Sequence, residues 1–224
     1  MTLDRATVLD GIATELETFR ELVAGLPPGD LDTDTACDGW SVRDVAGHVV
    51  GTAVDITQGR IEGQGSAEVT ARQARERAGR SAAELAEELA AALPTLNALL
   101  ASLPEEAWTG PSLANDGYTL GFAVEAMWYD AFVHGNDIRA ALGRPLARGA
   151  GMRCAVHHLA GYLDHRDWRS VTLALDGIEP IDIAGGGPEV HGDPMDFIAA
   201  ATGRTDPSVL GLDDSVNVYA EPSA

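Results

Sequence analysis

"CDGWSVRDVAGHVV", from Cys37 to Val50, holds a helix start and an out-of-place polar residue in one line. Ser41, followed three residues later by Asp44, has the form of a capping box, in which hydroxyl and carboxylate each satisfy an otherwise orphaned backbone N–H. Beyond that cap Val42, Val45, Val49, Ala53 and Ile56 recur at three- and four-residue spacing, which predicts an amphipathic helix. His48 lies near its apolar face, between Val45 and Val49 on one side and Thr52 on the other. A histidine so placed is either a core or boundary residue bonded to a neighbour, or a ligand.

Working outward, Leu3 to Leu26 reads as a helix with Val8, Ile12, Leu16, Phe19 and Val23 on one face, broken by "GLPPGDLDTD". Residues 59–80 are polar and glycine-punctuated and read as a mobile loop or a weak helix. Ser81 with Glu84 forms a second capping box, opening a helix through Leu85, Leu89, Leu93, Leu96 and Leu100 that Pro94 is expected to kink or break. "SLPEEAWTGPSLANDGYT" reads as irregular and leads to a helix from about Leu120 to Leu142, stopped by Gly143 and Pro145. Four long amphipathic segments point to a four-helix bundle over residues 1–147.

The pattern changes after "GRPLARGA". One more helix, Met152 to about His165, precedes three runs that read as strands, "SVTLALDG", "EPIDIAG" and "SVNVYA". Between the last two, "GDPMDFIAAATGR" reads as a short helix with Asp193 as N-cap and Pro194 in the first turn. The expected fold is therefore mainly α, a bundle followed by a small α+β domain at 148–224.

The 224 residues are 45% apolar, enough for a packed core. Fifteen basic residues stand against thirty-five acidic ones, a net charge of −20 that repels phosphate backbones and anionic membranes. No basic-then-apolar leader and no run of about eighteen apolar residues occurs, and two cysteines make no disulfide framework. A cytoplasmic protein without nucleic-acid or membrane partners is expected; monomer and homodimer both stay open.

On the fourth long helix, Asp130 and His134 are four residues apart and point the same way. Met127, Trp128, Ala131 and Phe132 make their surroundings apolar almost all round, and a carboxylate there needs a partner. With His48 they would make a three-ligand set with one coordination position open, the pattern of catalytic zinc. Spacing alone does not join His48 to that distant pair. Cys37 has neither a basic residue beside it nor a histidine near it in sequence, which favours a structural or incidental role over that of a nucleophile. His157 and His158, being adjacent, do not share a helix face and read with His165 as surface or interdomain residues; Ala184 to Pro188, "AGGGP", reads as a flexible turn.

Cys37, Gly39, Trp40, Val42, Arg43, Asp44 and His48, with Asp130, Val133, His134 and Asp137, resemble the signature of the actinobacterial mycothiol-dependent maleylpyruvate isomerase family. Gly192, Gly203 and Arg204 are similar to the pattern of that family's second domain. The resemblance implies a DinB-like metal-binding bundle followed by a sterol-carrier-like domain, with no DNA chemistry attached to the DinB label. It implies a divalent metal, zinc foremost, on His48, Asp130 and His134, and mycothiol as the thiol that is activated there. The activity implied is isomerisation of, or thiol transfer to, a small electrophile. By position Asp44 and Asp137 are candidates to orient His48 and His134, or are solvated helix acids. Arg204 is a candidate to grip a carboxylate of substrate or thiol, or else a helix-end cation. Two departures stand out. Asp130 replaces the family's usual Glu, one methylene longer, and Asn136 stands where an aromatic residue is common. A non-enzymatic carrier with a vestigial metal site is the alternative.

Overall fold

A computed structural model of the chain describes residues 3–113 and 117–220; residues 114–116, within the stretch read as irregular, lie outside it. The chain divides into two units, Asp4–Arg148 and the part from Gly149 onward. In the first, α1 (Arg5–Ala24), α2 (Val42–Thr57), α4 (Ala82–Ser102) and α6 (Leu120–Ala141) are the long helices. The short helices α3 (Ala67–Arg75) and α5 (Glu105–Thr109) fall between them. α1 packs on α4 and α6, and α2 packs on α4 and α6 in turn, so the four close around one core. Val8, Ile12, Leu16, Phe19 and Val23 of α1 are buried there with Leu85, Leu89 and Leu96 of α4. Each such side chain contributes about 1.5–3 kcal/mol by leaving water.

Both capping boxes form, at Ser41 with Asp44 and at Ser81 with Glu84. Pro94, expected to kink or break α4, leaves it helical from Ala82 to Ser102. Pro94 and Ala90 are both exposed, so water can reach the Ala90 carbonyl that lacks an N–H partner. α6 ends in a Schellman motif: Gly143 has φ +63°, its N–H reaches Ala140 O, and Arg144 N–H reaches Arg139 O. Asn136 is buried and holds Ala147 by its backbone, with 2.7 Å from Ala147 N to Oδ1 and 3.2 Å from Nδ2 to Ala147 O.

Of the two readings of residues 59–80, loop or weak helix, the structure shows a helix at Ala67–Arg75. Gly59, Gly63 and Gly65 turn the chain at positive φ, and Ser66 caps α3. α3 lies on α2 because Gly47 and Gly51 leave it room: a Cβ on Gly51 would stand 2.6 Å from Gln73 Cβ, and one on Gly47 3.2 Å from Arg77 Cβ. Just past the end of α3, Arg77, itself buried, forks onto Glu88 of α4 at 2.7 and 2.9 Å.

The second unit has α7 (Ala150–His165), α8 (Pro194–Ala201) and a three-stranded sheet of β1 (Val171–Leu175), β2 (Ile181–Ile183) and β3 (Glu189–Gly192). The order is β2-β1-β3, with β2 antiparallel and β3 parallel to β1. The expectation that "SVNVYA" is a strand is corrected: Asp214–Val216 is a single 3-10 turn, capped by Asp213, and the third strand is Glu189–Gly192. Val216 and Val218 are buried as their alternation demands, but Val218 N–H bonds Ala201 O at the end of α8 instead of a sheet partner. His158 of α7 is buried, against the surface reading of the histidine pair. Among the described residues no helix is long and apolar enough to cross a membrane.

Candidate metal centre

Two turns beyond the Ser41 cap, α2 presents His48, 5% exposed, toward α6. α6 answers with Asp130 and His134, one turn apart. His48 Nε2 lies 3.3 Å from Asp130 Oδ2, and His134 Nε2 lies 3.4 Å from Asp130 Oδ1. One ligand atom from each of the three residues lies within 4.8 Å of the others. The imidazoles meet edge to face, with centroids 5.2 Å apart, and Trp40 packs edge-on against His48 at 5.6 Å.

The far nitrogen of each ring has an acceptor. His134 Nδ1 is 2.9 Å from Asp137 Oδ2, a buried carboxylate one turn on. His48 Nδ1 is 2.8 Å from Oε1 of Gln73. An acceptor at Nδ1 calls for the proton there, which leaves the Nε2 lone pair of each neutral ring facing Asp130. Three electron-rich atoms then converge, and only protons or a cation between them relieve the repulsion. The donor set, two neutral imidazoles and a carboxylate, is one that a divalent metal such as zinc accepts. The residues therefore fit the metal that the resemblance implies.

The ionisation of the group reflects the same crowding. Burial opposes a charge on Asp130, yet the facing imidazoles, His134 ahead of His48, hold its carboxyl well below the usual range. Burial likewise pulls His134 down, but Asp130, then Asp137 and Cys37, raise it well above the ordinary 6.5.

Cys37, read from sequence as structural, lies at this centre: its Sγ is 3.3 Å from Asp137 Oδ2 and 3.9 Å from His134 Nδ1. Asp44, a candidate to orient His48, does not do so among the bonds described; its Oδ2 accepts from Ser41 N at 3.0 Å and Ser41 Oγ at 2.6 Å. The atom that faces His48 Nδ1 is Oε1 of Gln73, a residue that sequence reasoning missed. The available signal was Gly47 and Gly51, which flank His48 at the spacing that lets another helix approach closely. Arg204 belongs to the other unit, where it follows α8 and donates to Thr202 O at 3.2 Å. Its Gly203 neighbour has φ +71° and closes a Schellman motif like that of α6, with Arg204 N–H on Ala199 O.

A family model described as the mycothiol maleylpyruvate isomerase N-terminal domain matches residues 12–139, more than half of the chain and all three ligand candidates. The chain belongs to that family. The fold agrees. A crystal structure of the mycothiol-dependent maleylpyruvate isomerase superposes with a TM-score of 0.66 at 16% identity, covering 95% of this chain and 96% of that one. A histidine-to-alanine mutant of the isomerase superposes at 0.63 with the same identity and coverage. No curated protein sequence matches the chain. Membership in the maleylpyruvate isomerase family thus rests on the sequence model, and the structural likeness speaks for the fold.

Proposed function

We propose that the chain is a metal-dependent enzyme that activates a low-molecular-weight thiol, mycothiol or a close analogue, for isomerisation of a small electrophile or transfer to it. The observation that carries this reading is the convergence of His48 Nε2, His134 Nε2 and an Asp130 oxygen, with both Nδ1 atoms facing acceptors. Side-chain exposure is uneven: 6% for His48, 14% for His134 and 28% for Asp130. The open side is thus beside the carboxylate, where a ligand from solution can approach.

A divalent cation in this position, with a coordination site to spare, supplies acidity to a thiol brought to it. The chain's own residues do the rest. His48 and His134 offer neutral nitrogen donors in fixed orientation, and Asp130 supplies negative charge. Asp137 accepts the His134 Nδ1 proton and stabilises the ring as a donor. Addition of the thiolate to an activated carbon–carbon double bond leaves a single bond free to rotate, and expulsion of the same sulfur restores the double bond in the other geometry. Thiol transfer keeps the adduct instead. Arg204 is proposed to hold a distal carboxylate of substrate or thiol in a bidentate grip, and residues 1–147 are proposed to bind the metal as a bundle of their own.

The test is spectroscopic. Cobalt-substituted protein titrated with mycothiol or a cysteinyl analogue should gain a sulfur-to-metal absorption band and release a proton near neutral pH. Arg204→Ala should weaken thiol binding or turnover and leave the metal in place. Metal-loaded protein that shows neither band nor proton release would leave a carrier as the better reading.

A further inference from the structure

Gln73 is fully buried, as is Asp55, and the two side chains meet at 2.8 Å between Nε2 and Oδ2. The Gln73 amide has a donor end and an acceptor end, and its surroundings decide which faces which way. Its nitrogen reaches two acceptors, Asp55 Oδ2 and Gln64 Oε1, the latter at 3.1 Å. A flipped amide would set its oxygen against a carboxylate and its nitrogen against His48 Nδ1. Asp55 cannot easily yield. Arg60 bonds it through Nε at 2.8 Å and through Nη2, and Arg72 bonds it through Nη2. Burial would raise its carboxyl, but Arg72, Gln73, Arg60 and Gln64 together bring it down to about 2. It is a fixed negative charge at neutral pH.

We propose that Gln73 is the positioning residue of His48, fixing its proton on Nδ1 and its Nε2 lone pair toward Asp130, and that Asp55 acts through Gln73 by dictating the amide orientation. The chain of contacts runs from two arginines through a carboxylate and an amide to a ligand ring. None of its members ahead of His48 would touch metal or substrate. Replacing the amide by an apolar side chain frees the ring to put its proton on either nitrogen, and only one choice leaves Nε2 free to bind a metal. This inference rests on the metal reading for its effect on affinity, but the tautomer can be read without any metal.

The experiment compares wild type, Gln73→Met and Asp55→Asn by long-range proton–nitrogen NMR of the imidazoles. Metal-free protein is measured at alkaline pH, where the rings are neutral, and zinc-loaded protein near neutral pH. Wild-type His48 is expected as the Nδ1–H tautomer, with that proton slow to exchange in the zinc form. Gln73→Met should give a mixed tautomer in the metal-free protein and a zinc dissociation constant raised about 10–100-fold. Asp55→Asn should produce the same changes in weaker form with Gln73 still present. His134, held by Asp137, is the internal control and should not shift. Should Gln73→Met fail to fold, the exchange pair Gln73→Glu with Asp55→Asn restores a donor facing an acceptor and should keep the Nδ1–H tautomer. Wild-type His48 found as the Nε2–H tautomer, or unchanged by Gln73→Met in a folded protein, would overturn the proposal. A wild type that shows the expected tautomer and fails to bind zinc would instead overturn the metal reading.

Discussion

His134 leans on Asp137, one turn further along its own helix and beside the Cys37 thiol, whereas His48 leans on Gln73, a neutral amide carried by α3. The first support is local and charged; its geometry follows from the pitch of α6. The second is long-range and neutral, and it exists only because Gly47 and Gly51 let α3 close on α2. A carboxylate behind the ring adds to the basicity of His134, whereas the amide behind His48 acts through the direction of its hydrogen bond.

The bluntest way to break this comparison is to delete a ligand. His48→Ala and Asp130→Ala are each expected to lose most of the bound zinc, measured as metal content after gel filtration, whereas Asp130→Glu should retain it. Full stoichiometric metal in His48→Ala would remove the three-residue centre.

Next in size is the charged support. Asp137→Ala should weaken zinc binding toward the upper end of about 10–100-fold, beyond the effect of Gln73→Met, and Asp137→Asn should fall between. Competition titration against a chelator ranks the three. Equal losses at Gln73 and Asp137 would mean that charge behind the ring is immaterial here.

A pH series sharpens the same contrast. His134 has a folded-state pKa raised well above 6.5, so its proton stabilises the metal-free fold below the unfolded value and that contribution fades as pH rises through the folded one. Asp130 works the other way: its depressed pKa stabilises the fold above the ordinary 3.8, and the benefit is lost as pH falls below it. The thermal midpoint of metal-free protein should therefore drop as pH climbs above the usual imidazole range. Saturating zinc, taking the place of the proton, should remove that drop. A metal-free midpoint that rises with pH in this range would contradict the charge pairing.

The smallest expected effect is at Cys37. A thiol is a weak donor, so Cys37→Ser should shift zinc affinity by about twofold or less. A loss comparable to that of Asp137→Ala would make the thiol a third member of the charged support.

How much of this was visible in the sequence follows from the range of each interaction. Asp130 and His134 share a face by helical pitch, and Ser41 with Asp44 announces the start of α2; these are local facts that spacing encodes. Joining His48 to them needed the family resemblance, because nothing along the chain records which helices pack together. Gln73 was hidden in "ARQARERAGR", where one buried amide among arginines looks like a solvated face. The place of Cys37 beside His134 and Asp137 was hidden because those residues lie far along the chain. "SVNVYA" shows the converse: its alternation is real and its valines are buried, but alternation reports burial on one side and not a ladder partner.

The placement of the ligands on two helices has a bearing on how the chain reaches its folded form. Asp130 and His134 can be brought together by a single turn of α6, so a metal ion can be captured before the tertiary structure is complete. On the proposed metal reading His48 would join only when α2 has docked, and the ion would then close a long loop as a clasp between the two helices. Zinc should accordingly speed or stabilise the docking of α2 on α6 beyond what hydrophobic burial achieves, and the unfolding midpoint should rise with free zinc by mass action. On the proposed metal reading, an ion captured early by α6 alone would be held by two ligands, and the third would make its release contingent on local unfolding.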